Sequence, residues 1–346
     1  MTRAEIGFAI VGTGVAGRYH ARAIAETPGA RLVAACRPSG SGAAEASAEL
    51  GVPCDAELDA LLARPGVDAV CVCSPSGLHA THAVAAARAG KHVLVEKPMA
   101  LSLAAADAVI GACREARVTL GVALQRRTEA GSRALHDAIR AGELGRMVLG
   151  VACVPYYRSP DYYESAAWRG SWELDGGGAL MNQGIHLVDL LLWWMGGEVE
   201  VVGAAASTLR HSIEVEDCVV AALRFSGGAR GAVVATTAAF PGFPHRVEVY
   251  GTSGGAQLEG DSIVRWEGGS PRVAPGVAPS GAGAGASPTA LAPEGHRLLL
   301  ADFVQSIREG GPPLVGGEEG RRSLALVLGV YAAAGIGPRP PGANLG

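Results

Sequence analysis

Apolar residues in the first third of the chain fall in short continuous runs: IGFAIV (6 to 11), RLVAA (31 to 35), VDAVCVC (67 to 73), HVLVE (92 to 96) and VTLGVAL (118 to 124). Alanine-rich stretches of helical character separate them, and Ser102 stands as an N-cap before LAAADAVIGACREA. A strand that is apolar at every position is covered on both faces, and helices between such strands supply the crossovers. The pattern predicts a doubly wound parallel sheet ending near residue 124.

Beyond residue 147 the texture changes. MVLGVACV, VEVVGAAAS, CVVAALRF, ARGAVVATTAAF and HRVEVYGT are longer, β-rich runs, several parted by turn residues such as SGGA (226 to 229). They predict a mostly antiparallel sheet. One helix, from about Ala179 to Met195, interrupts them, and helical patterns return at EGHRLLLADFVQSIREG and GEEGRRSLALVLGVYAAAG. The Gly/Pro/Ser/Ala-rich stretch from 268 to 293 has the composition of a flexible loop. The expected division is 1–124 and 125–346.

Composition narrows the class. A chain of 346 residues exceeds one ordinary core, in keeping with two domains. No apolar run approaches the ~20 residues that span a bilayer, and the N-terminus enters a strand without a signal-like segment; a cytoplasmic protein is expected. The seven cysteines form no CxxC pair or zinc-like cluster, so they read as reduced core residues and no metal site is expected. A net charge of −4 with dispersed basic residues offers no stripe for nucleic acid.

The candidate chemistry begins directly after the first apolar run, where Gly12, Gly14 and Gly17 in GTGVAG fit G-x-G-x-x-G ahead of a helix-forming VAGRYHARAIAE. The first glycine allows a tight turn, the second lets the backbone approach a pyrophosphate, and the third lets helix and strand pack closely. A dinucleotide cofactor is therefore expected. An NAD-binding version places an acid about 20 residues on. Here AACRPSGSG puts Cys36 in that place, followed by Arg37, Ser39 and Ser41. An arginine with hydroxyl neighbours suits a 2′-phosphate, which favours NADP(H), with NAD(H) as the alternative.

Residues 156 to 195 hold the densest polar information. Asn182 and His186 are four apart on the predicted helix, hence on one face, with Asp189 one turn further. The helix is otherwise so apolar that these groups require partners. The triple glycine before it, Gly176 to Gly178, leaves room for a ligand.

In order along the chain, GTGVAG, SPSGLH, AGKHVLVEKP, AGELG, WRGSWELDGGGALMNQGIHLVDLLLW and GEEGRRSLALVLGVY resemble the glucose-fructose oxidoreductase, inositol dehydrogenase and rhizopine-catabolism (Gfo/Idh/MocA) family over nearly the whole length. The resemblance implies a Rossmann domain and an α+β domain with a large, mostly antiparallel sheet, often used for homodimer or homotetramer contacts. It implies a catalytic Lys97 near the nicotinamide ribose, a proton-transferring His186 and a cis Lys97–Pro98 bond. Cofactor contacts are expected from Val15, Ala16, Ser74, Pro75, His79, Glu96, Lys97 and Pro98 besides those named above. The substrate side is expected to draw on Lys97, Arg127, Tyr156, Trp168, Arg169, Asn182 and His186. Many members carry aspartate where Asn182 stands, which leaves open whether His186 or Lys97 is the principal acid/base. The function implied is NAD(P)-dependent hydride transfer at a secondary hydroxyl or ketone of a sugar, sugar derivative or cyclitol. The alternatives are a glycoside hydrolase or lyase working by transient oxidation, and a cofactor-sensing regulator without turnover.

Overall fold

The computed structural model describes residues 5–38, 40–270, 276, 285–286 and 294–338. Their strands are β1 (Ile6–Val11), β2 (Ala30–Cys36), β3 (Cys54–Asp55), β4 (Ala69–Val72), β5 (His92–Val95), β6 (Leu120–Val122), β7 (Met147–Pro155), β8 (Val199–Ser207), β9 (Cys218–Phe225), β10 (Arg230–Thr236), β11 (Arg246–Gly251), β12 (Gly255–Glu259) and β13 (Ser262–Glu267). Their α-helices are α1 (Val15–Glu26), α2 (Ala43–Leu50), α3 (Leu58–Leu62), α4 (His79–Arg88), α5 (Leu103–Ala116), α6 (Ala130–Arg140), α7 (Pro160–Glu164), α8 (Ile185–Met195), α9 (Glu294–Glu309) and α10 (Gly317–Ala333). They form two units: residues 1–129 with 292–324, and residues 130–291 with 325–346.

The first unit is a parallel sheet in the order β3-β2-β1-β4-β5-β6. All six residues of β1 are buried, as a strand with helices on both faces requires. The five apolar runs became β1, β2, β4, β5 and β6; β3, two residues long, was too short to show a pattern. Ser102 caps α5 as expected, its Oγ accepting the Ala105 N–H at 3.2 Å. The strand order reverses between β1 and β4, which makes the carboxyl edge at that point the place for a ligand.

Residues 292–324 belong with this unit, contrary to a division at 124. The reason is apolar area: Leu299, Leu300, Phe303 and Val304 form one buried face of α9, and Phe303 meets Phe8 of β1 with ring centroids 6.4 Å apart. Burying such side chains contributes about 1.5–3 kcal/mol each.

The second unit is built on a seven-stranded sheet, β13-β12-β11-β7-β10-β9-β8. It is mostly antiparallel as expected, but β7 and β10 pair in parallel, since a long excursion through α7 and α8 separates them. β12 and β13, also unexpected from the pattern, form a hairpin beyond β11. One face is covered by α8, which comes so close that a Cβ on Gly150 would lie 2.8 Å from both Leu191 and Met195. The helix expected from Ala179 to Met195 is not uniform: Ala179–Gly184 is a π-helix and only Ile185–Met195 is α. Most of the glycine-rich stretch expected at 268–293 lies outside the described residues.

Candidate active site

The glycine fingerprint follows β1 directly. A Cβ on Gly12 (φ +96°) would lie 2.5 Å from the Cys73 carbonyl oxygen, and one on Gly17 would lie 2.2 Å from the Gly12 carbonyl oxygen. Both positions are filled by the protein's own backbone. Gly14 differs: nothing lies within 4 Å of its absent Cβ, and its φ of −75° is open to any residue. The fold does not require glycine there, whereas a pyrophosphate approaching the N–H groups that open α1 would. The residues present thus fit a dinucleotide, with Val15 and Ala16 supplying the first turn of the helix.

At the end of β2, Cys36 is fully buried, and burial pushes its thiol up to about 12. It stays neutral and cannot act as the acid of an NAD-type site. Arg37 turns back toward the fingerprint, its Nη1 donating to Thr13 Oγ1 at 3.3 Å. Ser39 lies outside the described residues.

The third segment expected to meet the cofactor joins the ends of β4 and β5. The Ser74 and Pro98 carbonyls each lie 2.7 Å from a ring nitrogen of His79, which is 2% exposed. Burial pushes the His79 ring down, against two carbonyls that both accept only when both nitrogens carry hydrogen. His79 ties the two loops together through these contacts. Pro75 begins the short turn leading to His79, and Ser74 Oγ meets His82 Nδ1 at 2.9 Å. The Lys97–Pro98 bond is cis, as expected. Glu96 is buried and accepts the Lys97 peptide N–H through Oε2 at 3.2 Å, so it too supports the turn from within. Arg127 lies in the same unit, buried just after β6.

The second unit holds the other expected residues. Between 179 and 192 the half-exposed positions are Asn182, Gln183 and His186, the rest being buried. Asn182 and His186 therefore share the accessible stripe despite the π-turn, whereas Asp189 is fully buried and belongs to the core. Arg169 stacks on Trp168 and on Tyr162, with its Cζ 4.6 and 4.3 Å from the ring centroids. The Tyr162 hydroxyl accepts from Arg169 Nη1 at 2.7 Å and from Gln183 Nε2 at 3.3 Å. That hydroxyl joins Trp168 and Arg169 to the stripe. Tyr156 does not line it in the same way: it is 5% exposed, lies beneath Arg158, and its hydroxyl meets His245 Nδ1 at 2.8 Å.

Comparison with known proteins matches two family models to successive parts of the chain. Residues 6–124 match the model of an oxidoreductase family with an NAD-binding Rossmann fold, and residues 132–257 match that of the GFO/IDH/MocA C-terminal domain. The chain belongs to the Gfo/Idh/MocA family. It is 33% identical to a 1,5-anhydro-D-fructose reductase of Ensifer adhaerens over 75% of each chain. It is 30% identical to a myo-inositol 2-dehydrogenase of Thermotoga maritima over 74% of this chain and 73% of the other. The crystal structure of the WlbA dehydrogenase from Bordetella pertussis, in complex with NADH and UDP-GlcNAcA, superposes with a TM-score of 0.86 at 34% identity, covering 97% of this chain and 98% of that one. This member of the Gfo/Idh/MocA family is an NAD(P)-dependent oxidoreductase.

Several residues that shape this Gfo/Idh/MocA site escaped the sequence reading. Asp175, 2% exposed, accepts Asn182 Nδ2 at 2.8 Å through Oδ1 and the Gly170 N–H at 2.9 Å through Oδ2. A carboxylate thus stands beside the asparagine that lacks one. The triple glycine serves packing: a Cβ on Gly177 would lie 2.3 Å from the Tyr331 hydroxyl, and one on Gly178 would lie 1.7 Å from the Glu216 carbonyl oxygen. That corrects the expectation that it makes room for a ligand. Glu216 caps the π-turn, accepting the Gly178 and Leu180 N–H groups, each at 2.8 Å, and the Tyr331 hydroxyl at 2.9 Å. A compositional signal also points at Lys97: of 29 Lys and Arg residues, lysine stands only at 91 and 97. A lysine differs from the arginines around it in presenting a compact ammonium rather than a planar guanidinium.

Burial pushes the Glu216 carboxyl up to about 7, against the N–H and hydroxyl donors that pull it down. A carboxyl raised on folding stabilises fully below its unfolded value, and that contribution is lost as pH rises through about 7. Urea unfolding is expected to show a loss on the order of 3 kcal/mol between pH 4.5 and 8, and Glu216→Gln is expected to flatten this dependence. An equally steep dependence in the variant would move its origin elsewhere.

Proposed function

We propose that the enzyme moves hydride between NAD(P) and a secondary hydroxyl, or the corresponding ketone, of a sugar, sugar derivative or cyclitol, with Lys97 and His186 as its catalytic residues. The observation that carries this reading is Lys97 itself, set on a turn held by buried Glu96 at the carboxyl edge of β5, the edge where doubly wound sheets bind ligands. When bound, the nicotinamide supplies the hydride acceptor or donor. The side chains handle the proton and the charge. Lys97 Nζ stabilises the oxygen as negative charge develops on it, and the His186 ring accepts the hydroxyl proton with Lys97 assisting. Asn182 orients the substrate, its amide fixed by Asp175, while Arg169 and Trp168 offer a cation and an aromatic face to the sugar.

Arg37 and the neutral Cys36 support NADP(H) as the preferred cofactor, although the related dehydrogenase structure holds NADH. The expected result is a dissociation constant for NADPH at least threefold below that for NADH, reversed by Arg37→Glu. Equal or tighter NADH binding by the unaltered enzyme overturns the preference. The open face of the second sheet presents Val151, Val220, Ala222, Ala232 and Val234, which supports assembly with a second copy. The seven free cysteines support a reducing, cytoplasmic setting. Substrate class is tested by screening cyclitols, aldoses, keto-sugars and nucleotide sugars for a change in NAD(P)H absorbance. Release of a product with no net NAD(P)H change would favour a lyase or hydrolase instead.

A further inference from the structure

Beneath the Lys97 turn, three buried side chains from distant parts of the sequence meet. His20 of α1 places Nε2 2.8 Å from Glu96 Oε1, and His296 of α9 brings its Nε2 to 3.7 Å from the same oxygen. Tyr19, the neighbour of His20, stacks on the His296 ring with centroids 5.4 Å apart and planes 13° apart. The His20 and His296 rings meet edge to face. The second oxygen of the carboxylate, Oε2, accepts the peptide N–H of Lys97. One side chain thus receives an imidazole on one oxygen and the backbone of Lys97 on the other.

The electrostatics fit this arrangement. Burial alone pushes the Glu96 carboxyl up, and the His20 and His296 rings more than offset it, holding the group well below the usual carboxylate range. An ionised carboxylate is the stronger acceptor for the Lys97 N–H. Its orientation depends on the His20 hydrogen bond and on the wall formed by His296. Without the His20 hydrogen bond, Glu96 loses the partner that fixes Oε1 opposite the oxygen held by the Lys97 peptide.

We propose that His20 and His296 are positioning residues for Lys97, acting through Glu96. The inference rests on the reading of Lys97 as the catalytic lysine. It has a further consequence, because His20 stands three residues after Gly17 on the helix that the glycine fingerprint opens. The hydrogen bond from His20 to Glu96 thus links the helix opened by the glycine fingerprint to the turn that carries Lys97. A metal ion is the competing use of the cluster, since its three donor atoms lie within 4.8 Å of one another. A histidine bound to metal through Nε2 turns its Nδ1–H to an acceptor. Among the described residues neither His20 Nδ1 nor His296 Nδ1 has a hydrogen-bond partner.

The chain's two lysines make the test direct, because Lys91 serves as an internal reference for Lys97. The full-length enzyme, the variants His20→Ala, His20→Gln and His296→Gln, and Lys97→Ala as a control are treated with an acylating reagent selective for amines. The ratio of modified Lys97 to Lys91 is read by peptide mass spectrometry. Steady-state kinetics and the dissociation constant for NAD(P)H are measured alongside. His20→Ala is expected to change the labelling ratio at least threefold and to lower kcat about tenfold or more, with KM and cofactor affinity within about twofold. His20→Gln, whose amide N–H reaches near the Nε2 position, is expected to restore both. Unchanged labelling and kcat in His20→Ala, or failure of His20→Gln to rescue, overturns the proposal. If His20→Ala does not fold, the His20→Gln and His296→Gln ratios decide it, a folded His20→Gln with altered labelling and turnover counting against it. Tight zinc binding by the unaltered enzyme that His20→Gln abolishes overturns it in favour of a metal site. Near-normal turnover in Lys97→Ala overturns the catalytic reading of Lys97 instead, while the labelling ratio still reports on the clamp.

Discussion

Lys97→Ala is expected to reduce turnover by about a thousandfold, while cofactor affinity stays within about twofold of the parent. The magnitude follows from two roles. Removing one preorganised donor to a developing oxyanion costs about 10²–10³ in rate, and impaired proton transfer adds to it. Affinity survives because the fingerprint after β1 and the Arg37 region lie on other segments and do not depend on the lysine side chain. Stability also survives, since the turn is held by Glu96 and His79 through the Lys97 peptide N–H and the Pro98 carbonyl. Lys97→Arg is expected to recover little, because a guanidinium stays protonated and is planar and bulkier than an ammonium. Stopped assays of NAD(P)H formation, paired with fluorescence titration of NAD(P)H, separate the two effects. Near-normal turnover in either variant would refute the catalytic assignment.

The second large effect separates two glycines in one motif. Gly14→Val is expected to leave the melting temperature within about 2 °C of the parent and to weaken NAD(P)H binding by about a hundredfold or more. Its side chain enters space that the protein itself leaves open, space that a pyrophosphate needs. Gly12→Ala is expected to destabilise as well. A left-handed φ costs a non-glycine residue about 1–2 kcal/mol, and the new Cβ meets the Cys73 carbonyl at 2.5 Å unless β1 and β4 shift. A total above about 2 kcal/mol lowers the melting temperature by roughly 5 °C or more. Differential scanning calorimetry and cofactor titration on both variants give the comparison. A Gly14→Val enzyme that binds cofactor normally would remove the pyrophosphate from that position.

The elements read easily from sequence were those whose own pattern decided them. IGFAIV is buried at all six positions, and a run of that kind next to G-x-G-x-x-G has few other outcomes. Ser102 could be seen as a cap because the rule is local. What stayed hidden depended on partners far along the chain. Phe303 and His296 read only as positions on an amphipathic helix, because Phe8 and Glu96 are about two hundred residues away or more. The π-turn at Ala179–Gly184 depends on Glu216 and Tyr331, which no spacing rule connects to it. Gly177 and Gly178 looked like room for a ligand because a sequence does not show that Tyr331 and Glu216 occupy the space. β12 and β13 were missed because their apolar positions are few and lie among turn residues. Lys97 and His186 were singled out by motif order, whereas Asp175 required the hydrogen bond to Asn182 to be seen.

The discontinuous make-up of the first unit also bears on how the chain comes off the ribosome. Its sheet is encoded by residue 122, yet the wall that covers Phe8 arrives only with Phe303, far later in the chain. While the chain between them is made, the nascent sheet must wait with part of its apolar surface uncovered, a state open to chaperones and to misassociation. A stalled or truncated product lacking α9 would therefore be expected to be handled as an unfinished protein, even though every strand of its nucleotide-binding sheet has been made.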